Sequence, residues 1–380
     1  MNIDLVVAPF FDSGVLPFPS YKRDIDWFPV WYNLKELKKK GIKVNFINYR
    51  NFKLKNLNNI VGIDCRIIPE LLKRQYNTYD NDFEQLEEFL GKIKQKVDYL
   101  LWFDNRDSTG TPQFEVLPFV DRYYKKQLLK DRLLYTKNYY ADRFHIDYYA
   151  RNYEIEKIKK DLVGLNRPTL DMKYLNKISI SWNCAMWDYR NSNSKFKRLV
   201  NSYTKIKKLN FKKPSANRKL LFSANFSFKS ESKLIAFQRK ALYDFLKEKY
   251  DTKKNVSIGY IPYKEFIATL KSSQAIFSPF YFGEICRRDF ETFLVGAALI
   301  KPDMEHLETW PDIYKKNHTY IPISWSVEKW KDEISEILSD KQKLLRIAEN
   351  GQKLYKKIWS KEGMAKFNER FIKMINQNYF

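Results

Sequence analysis

Histidine is scarce in these 380 residues. There are three, His145, His306 and His318, and none stands in an HxH or HExxH spacing, so a histidine-based metal centre has no anchor. Cys65, Cys184 and Cys286 are few, odd in number and far apart, which excludes a disulfide framework or a CxxC metal site and fits a reducing compartment. Glycine (11) and proline (14) are also sparse, so the chain is neither collagen-like nor low-complexity. GxSxG, Walker A and GxGxxG are all missing, and with them the signatures of an α/β hydrolase, a P-loop NTPase and a dinucleotide-dependent dehydrogenase. The DxD string at Asp24 and Asp26 precedes a helical pattern instead of following a strand, and reads as helix-start residues. No apolar run approaches the roughly 20 residues that span a bilayer, and the N-terminus lacks the features of a signal peptide. A cytoplasmic protein, touching membranes only peripherally, is expected.

Against these absences stand 44% hydrophobic and 17% aromatic residues, ample for packed cores, in a length natural for two domains of about 150–200 residues each. Sixty-nine Lys and Arg oppose 45 Asp and Glu, a net charge of +24. Such a surface suits polyanions, acidic membranes or phosphorylated substrates. The abundance of Lys, Asn, Ile and Tyr is equally what an AT-rich genome yields, and both readings stay open.

Along the chain, apolar runs alternate with amphipathic segments. Strand 3–8, a Pro/Gly/Ser loop over 9–20, helix 27–40 and strand 42–47 form a β-loop-α-β unit. A short strand over 60–63 is expected next, then a helix over 82–96. The apolar strand 97–103 delivers Asp104, Arg106, Asp107 and Ser108 into a loop, a candidate site at a strand end. Residues 119–153 interleave basic and tyrosine side chains, a pattern that suits nucleic-acid stacking, a partly exposed helix or a carbohydrate-holding surface. Strand 178–182 leads into a third polar loop. The composition over 191–217 turns to Ser, Asn and Lys, where a domain crossing is expected.

The second half repeats the pattern: strand 218–224, polar loop 225–232, helix 233–249, strand 256–258, helix 262–272, strand 275–279, helix 290–297, strand 298–300, a loop over 305–318, strand 319–323, and helices over 327–338 and from 341 to the end. The expected architecture is α/β, with two doubly wound, Rossmann-like domains facing each other across a cleft. The N-terminal domain covers 1–200, a linker 201–217, the C-terminal domain 218–355, and a final helix, 356–380, crosses back to the N-terminal domain.

Loops and helix N-termini with nearby cations make an anion site. Lys229 and Lys233 flank the start of one helix, and Arg288 begins another with the fork geometry for a phosphate. Glu291, one turn further, can accept hydrogen bonds from vicinal hydroxyls such as those of a ribose, or simply complement the helix dipole.

The order LLFSAN, helix, IPYKEFIATLKSSQAIFSPF, then GEICRRDFETFLVGAALIKPDM resembles the C-terminal half of GT-B glycosyltransferases of group 1, the family 4-like enzymes, over roughly residues 218–325. Glu291, Thr292 and Gly296 take the places of the Glu, Ala and Gly of that family's E-A-x-x-x-G helix start. GEICRRDFE followed by DMEHLETWPD resembles a polysaccharide-assembly subgroup. The family's two glutamates are separated by seven residues, whereas Glu284 and Glu291 are separated by six, which leaves the role of Glu284 near the transferred sugar, and the stereochemical outcome, open.

The resemblance implies a metal-independent glycosyltransferase with no cofactor, moving a sugar from a nucleotide-diphosphate donor on the C-terminal domain to a glycan or lipid-linked acceptor on the N-terminal one. It implies donor contacts from Lys229, Lys233, Arg288, Glu291 and His306, and makes Asp107, Asp104 and Asp12 candidates to position or deprotonate an acceptor hydroxyl. An epimerase of the same plan and a basic nucleic-acid-binding protein are the alternatives. Peripheral docking on anionic lipid is compatible with the main reading.

Overall fold

The computed structural model describes residues 1–7, 25–69, 71–72, 83–187, 189 and 209–376. Asp12, Asp24, the loop expected over 9–20 and residues 201–208 of the expected linker lie outside the described residues.

Hydrophobic runs that are buried on both faces form parallel strands, and the helices between them supply the covers. In the first half these strands are β1 (Asn2–Val7), β2 (Lys43–Asn48), β3 (Ile60–Asp64), β4 (Tyr99–Asp104), β5 (Arg122–Lys125) and β7 (Ile178–Ile180), with β6 (Gln127–Leu129) outside the sheet. They form one parallel sheet in the order β2-β1-β3-β4-β5-β7. Every residue of β3 and β4 is buried. The associated helices include α1 (Phe28–Lys39), α2 (Phe83–Lys94) and α3 (Phe144–Asn152).

The second half contributes β8 (Leu220–Ala224), β9 (Val256–Ile258), β10 (Ser273–Phe277), β11 (Ala298–Pro302), β12 (Leu307–Thr309) and β13 (Ile321–Ile323). All but β12 form a parallel sheet ordered β13-β11-β10-β8-β9. Its helices are α4 (Lys233–Tyr250), α5 (Tyr263–Ser272), α6 (Arg287–Val295) and α7 (Trp330–Ser339). Helix α6 ends at Gly296, whose φ of 66° is the left-handed C-cap conformation that favours glycine. Both sheets are doubly wound. The strand order reverses between β1 and β3 in the first and between β8 and β10 in the second, and crevices for ligands form at the C-terminal ends of strands beside such reversals.

The two halves are closed against each other. Strand β6 pairs antiparallel with β12, Gln127 opposite Thr309 and Leu129 opposite Leu307. Gly283 sits against the Asp107 carbonyl so closely that a Cβ there would lie 1.6 Å from the oxygen. One apolar cluster runs from Ile3, Leu5, Trp27 and Trp182 of the first half to Phe280, Ile285 and Phe290 of the second.

The C-terminal segment, expected to be helical from 341 with a final helix over 356–380, forms α8 (Lys341–Ile358) and α9 (Lys361–Ile375). The break falls where Ser360 caps α9 by accepting the Gly363 N–H. Helix α9 packs on the first domain, as expected. The Tyr124 hydroxyl donates to the Met374 carbonyl at 2.9 Å, Arg370 donates to that of Ser181 at 3.0 Å, and Phe367 meets Trp182 edge-on at 5.4 Å.

Of the readings open for residues 119–153, the partly exposed helix fits α3, whose Tyr148 is half-buried. The stretch forms β5, β6 and α3, and Tyr123, Tyr124, Tyr135 and Tyr149 are buried. These rings are packed in the interior, not offered to a nucleic acid. Among the described residues no helix is long and apolar enough to cross a membrane.

Candidate functional site

The C-terminal ends of β3, β4 and β5 place a dense set of charges where the first sheet faces the second domain. Asp104, the last residue of β4, is completely buried. It accepts hydrogen bonds from the Tyr123 hydroxyl at 2.5 Å, Lys125 Nζ at 2.8 Å, and Arg106 through its backbone N–H and Nε at 3.1 and 3.0 Å. Burial alone would raise its pKa, but Arg106 and Lys125 overcome that and hold the carboxyl far below the usual range. With both oxygens engaged, Asp104 is a structural anion, and the geometry does not place it as a base.

Asp107 differs. Its side chain is 58% exposed, yet Oδ1 receives Arg66 Nη2 at 2.9 Å and Lys126 Nζ at 3.0 Å. Against the opposing effect of desolvation, Lys126 and Arg66 depress its pKa to about 2. The same two cations pair with Asp26, at 2.6 Å from Arg66 and 3.3 Å from Lys126. Asp26 lies at the helix start, as expected, in the 3-10 turn Ile25–Trp27 that runs into α1, and there it is also fully buried in this four-charge network and receives Trp187 Nε1 at 3.0 Å.

At the junction of the halves lies Glu284, fully buried on the segment joining β10 to α6. Three of its partners come from the first domain. Thr109 donates its N–H at 3.1 Å and its hydroxyl at 2.5 Å, Gln127 donates Nε2 at 3.0 Å, and His145 Nδ1 stands 3.3 Å away. His306 Nε2, from the second domain, is 3.8 Å distant. Desolvation opposes ionisation here, but His145 and His306 with these donors hold the carboxyl well below its ordinary value. His306 stacks on Phe144 and meets Trp325 edge-on at 4.8 Å, and neither ring nitrogen has a hydrogen-bond partner among the described residues.

The second sheet's crevice is built differently. Arg288, in the first turn of α6, lies over the rings of Phe226 and Phe266 at 5.9 and 5.6 Å. Its Nε is buried without a hydrogen-bond partner. On the same Phe226 ring lies Arg239, at 6.0 Å, donating to the carbonyls of Phe280 and Ser227. Burial, with Arg288 adding like-charge repulsion, lowers the Arg239 pKa to about 10. Two guanidinium groups thus flank one ring at the β8/β10 reversal. Glu291 accepts Arg287 Nε at 2.8 Å, and its pKa is raised by burial against the pull of Arg287 and Arg288. Glu291 stands one turn after Arg288 on α6, but its partner Arg287 lies over the Tyr189 ring at 5.6 Å, whereas Arg288 lies over Phe226 and Phe266.

Lys229 and Lys233 are not brought together there. Lys229 is exposed, its loop held by the Tyr281 hydroxyl donating to its carbonyl. Lys233 is an exposed surface residue paired with Glu156. The helix start that these lysines flank is already filled: Ser232 caps it by accepting the Ile235 N–H at 3.0 Å, and donates at 2.6 Å to Asp161, a buried carboxylate of the first domain. The expected phosphate seat at the N-terminus of α4 is occupied by protein.

Asp289, given no role by sequence, is the structural hub of α6. Fully buried, it receives the Ser278 hydroxyl at 2.5 Å, the Tyr314 hydroxyl at 2.7 Å and buried Lys301 at 3.2 Å. Sequence reasoning also missed Arg66, Thr109, Lys126, Gln127, His145 and Arg239. Only His145 had a visible signal, as one of three histidines. Among the described residues no group of three or more His, Cys, Asp or Glu side chains is arranged to hold a metal.

No family model matches this sequence. No curated protein matches it either. Solved structures with distant likeness include HepE of Anabaena in complex with UDP and glucose, at 10% identity over 98% of this chain and 99% of that one, with a TM-score of 0.43. A DNA-modifying β-glucosyltransferase is 12% identical over 99% of both chains, at 0.45. The sucrose-phosphate synthase of Thermosynechococcus elongatus is 10% identical over 98% of both, also at 0.45. At such distances the fold assignment rests on the chain's own two parallel sheets and their order.

Proposed function

We propose that this chain is a glycosyltransferase that takes a sugar from a nucleotide-diphosphate donor seated at the β8/β10 reversal and passes it to a hydroxyl of a glycan or lipid-linked acceptor. The observation that carries this reading is Arg288: a guanidinium in the first turn of α6, at a sheet-order reversal, with a buried Nε that nothing among the described residues fills. A donor diphosphate supplies the missing acceptor atoms, and Arg239 adds to the local positive potential. Glu291, one turn along the same helix, takes the ribose hydroxyls in exchange for its bond to Arg287.

The junction supplies the chemistry. Transfer from an activated sugar builds positive charge at the anomeric carbon and negative charge on the departing diphosphate. Glu284, kept anionic and preorganised by Thr109, Gln127 and His145, opposes the first charge. Arg288 opposes the second, so that no metal ion is required. Asp107, with a pKa near 2, is too weak a base to take a proton at neutral pH, and serves to orient an acceptor hydroxyl. A role in polysaccharide assembly follows from the GEICRRDFE resemblance.

A thermal-shift screen with UDP, GDP, CMP and dTDP and their sugars tests the reading. One nucleotide should raise the melting temperature of the wild type and fail to do so in Arg288→Ala and Glu291→Ala. If no nucleotide shifts the wild type, the reading is wrong.

A further inference from the structure

A second concavity opens on the same edge of the second sheet, away from the β8/β10 reversal. It lies where β11 runs out into Asp303 and β13 into Ser324 and Trp325. It measures about 460 Å³, and Lys316, Glu333 and His306 complete its polar lining. That volume falls in the range of sites for small organic ligands, about 300–1,000 Å³.

Charge separates this cleft from the donor crevice. In a chain of net charge +24, it presents two carboxylates, Asp303 and Glu333, against the single ammonium of Lys316, an excess of one negative charge. The Glu284 anion behind His306 adds to it. A phosphate-bearing ligand is repelled by this field, whereas hydroxyl groups are bound by it, because a carboxylate accepts from them and an ammonium donates to them.

Trp325 provides the apolar wall. Its indole N–H donates to the Asp303 carbonyl at 3.0 Å, and its ring is braced edge-on by Phe144, Tyr148 and Phe280 at 5.8, 5.3 and 5.7 Å. Glu333 is held by the Ser324 N–H at 2.7 Å through Oε2, and Asp303 by Lys316 at 2.8 Å. The polar groups are fixed in advance, which lowers the ordering cost of binding. A rigid aromatic ring among hydroxyl-binding groups matches a sugar, whose ring has an apolar C–H face and a polar rim. His306 joins the cleft to the domain junction, its ring nitrogens unpartnered and Nε2 3.8 Å from Glu284.

We infer that this cleft on the second domain binds an uncharged saccharide unit of the acceptor, separate from the nucleotide seat and continuous through His306 with the junction. The acceptor role rests on the glycosyltransferase reading; saccharide binding itself does not.

Saturation-transfer difference NMR on the full chain, with maltose, cellobiose, lactose and N,N′-diacetylchitobiose and no nucleotide present, tests the cleft. At least one disaccharide should show transfer to its ring protons. Trp325→Ala should weaken that binding by roughly tenfold or more. Because Trp325 is braced by the core, Lys316→Ala, at a side chain 42% exposed, is the control that keeps the fold, and should weaken binding several-fold. Both variants should keep the nucleotide-induced thermal shift. Failure of all four sugars to bind, or binding indifferent to both substitutions, overturns the inference. Sugars bound through Trp325 by a protein that no nucleotide stabilises would retain the cleft and discard the donor reading. Nucleotide stabilisation without sugar binding would do the opposite.

Discussion

The strand ends of the first domain and the crevice of the second are equally rich in charge, yet they differ in how much of it is spoken for. Asp104 has five donors from Tyr123, Lys125 and Arg106, and Asp26 is matched by Arg66 and Lys126. In the second domain, among the described residues, Arg288 keeps a buried Nε without an acceptor and His306 two ring nitrogens without partners. A buried polar group left unfilled costs about 1–3 kcal/mol, which makes Arg288 and His306 candidates for ligand contact; buried unpartnered atoms also occur in the first domain, at Ser108 Oγ and His145 Nδ1. The filled set marks where charge serves architecture.

The largest test of this contrast is Asp104→Ala. It strands Lys125 and Arg106 in the interior and should cost about 3–5 kcal/mol, read as a lower midpoint in urea unfolding. Arg288→Ala should sharpen the contrast from the other side. It should not lower stability, because it removes a buried Nε without a partner among the described residues, while weakening donor binding by about 1.5–3 kcal/mol, measured by calorimetry. A large stability loss there would erase the distinction.

Glu284 lies between the two regimes, and pH separates its contribution. Its folded-state pKa is depressed, so its stabilisation is present above the ordinary glutamate value of 4.5 and is lost as pH falls below it. Glu284→Gln should therefore flatten the acid limb of a melting-temperature profile below about pH 4.5 relative to the wild type. An unchanged acid limb would show that the carboxylate is not held as an anion. The smallest effect belongs to Lys233→Ala. It removes an exposed pair with Glu156 and should alter neither stability nor the nucleotide-induced shift; a lost shift would restore the lysine to the donor site.

Much of the architecture was legible because apolar runs and their breakers are local signals. Strand β9 falls on the expected residues, and β1, β4, β8, β10 and α4 within a few of them. Strands β5, β6 and β12 were not legible. RYYK, QLL and LET are too short for periodicity to register, and their strand character comes from partners distant in sequence. Missing β6 and β12 meant missing the pairing between domains. The candidate site divided along the same line. Arg288 and Glu291 share one helix, so their spacing placed them together. The partners of Glu284, namely Thr109, Gln127 and His145, lie more than a hundred residues away, and no local pattern connects them. Asp161, which fills the helix start beside Lys233, is invisible from the local sequence.

Gln127 has a consequence for motion. Its backbone belongs to the strand pair that joins the domains, while its side chain donates to both the Asp107 carbonyl and Glu284. It sits where an axle would. Any rotation about the β6–β12 pair that draws Thr109 away from Glu284 readmits water to that carboxylate and exchanges fixed donors for bulk solvent. The proton affinity of Glu284 and the angle between the domains are then two readings of a single coordinate, and an environment-sensitive probe at the junction would report both at once.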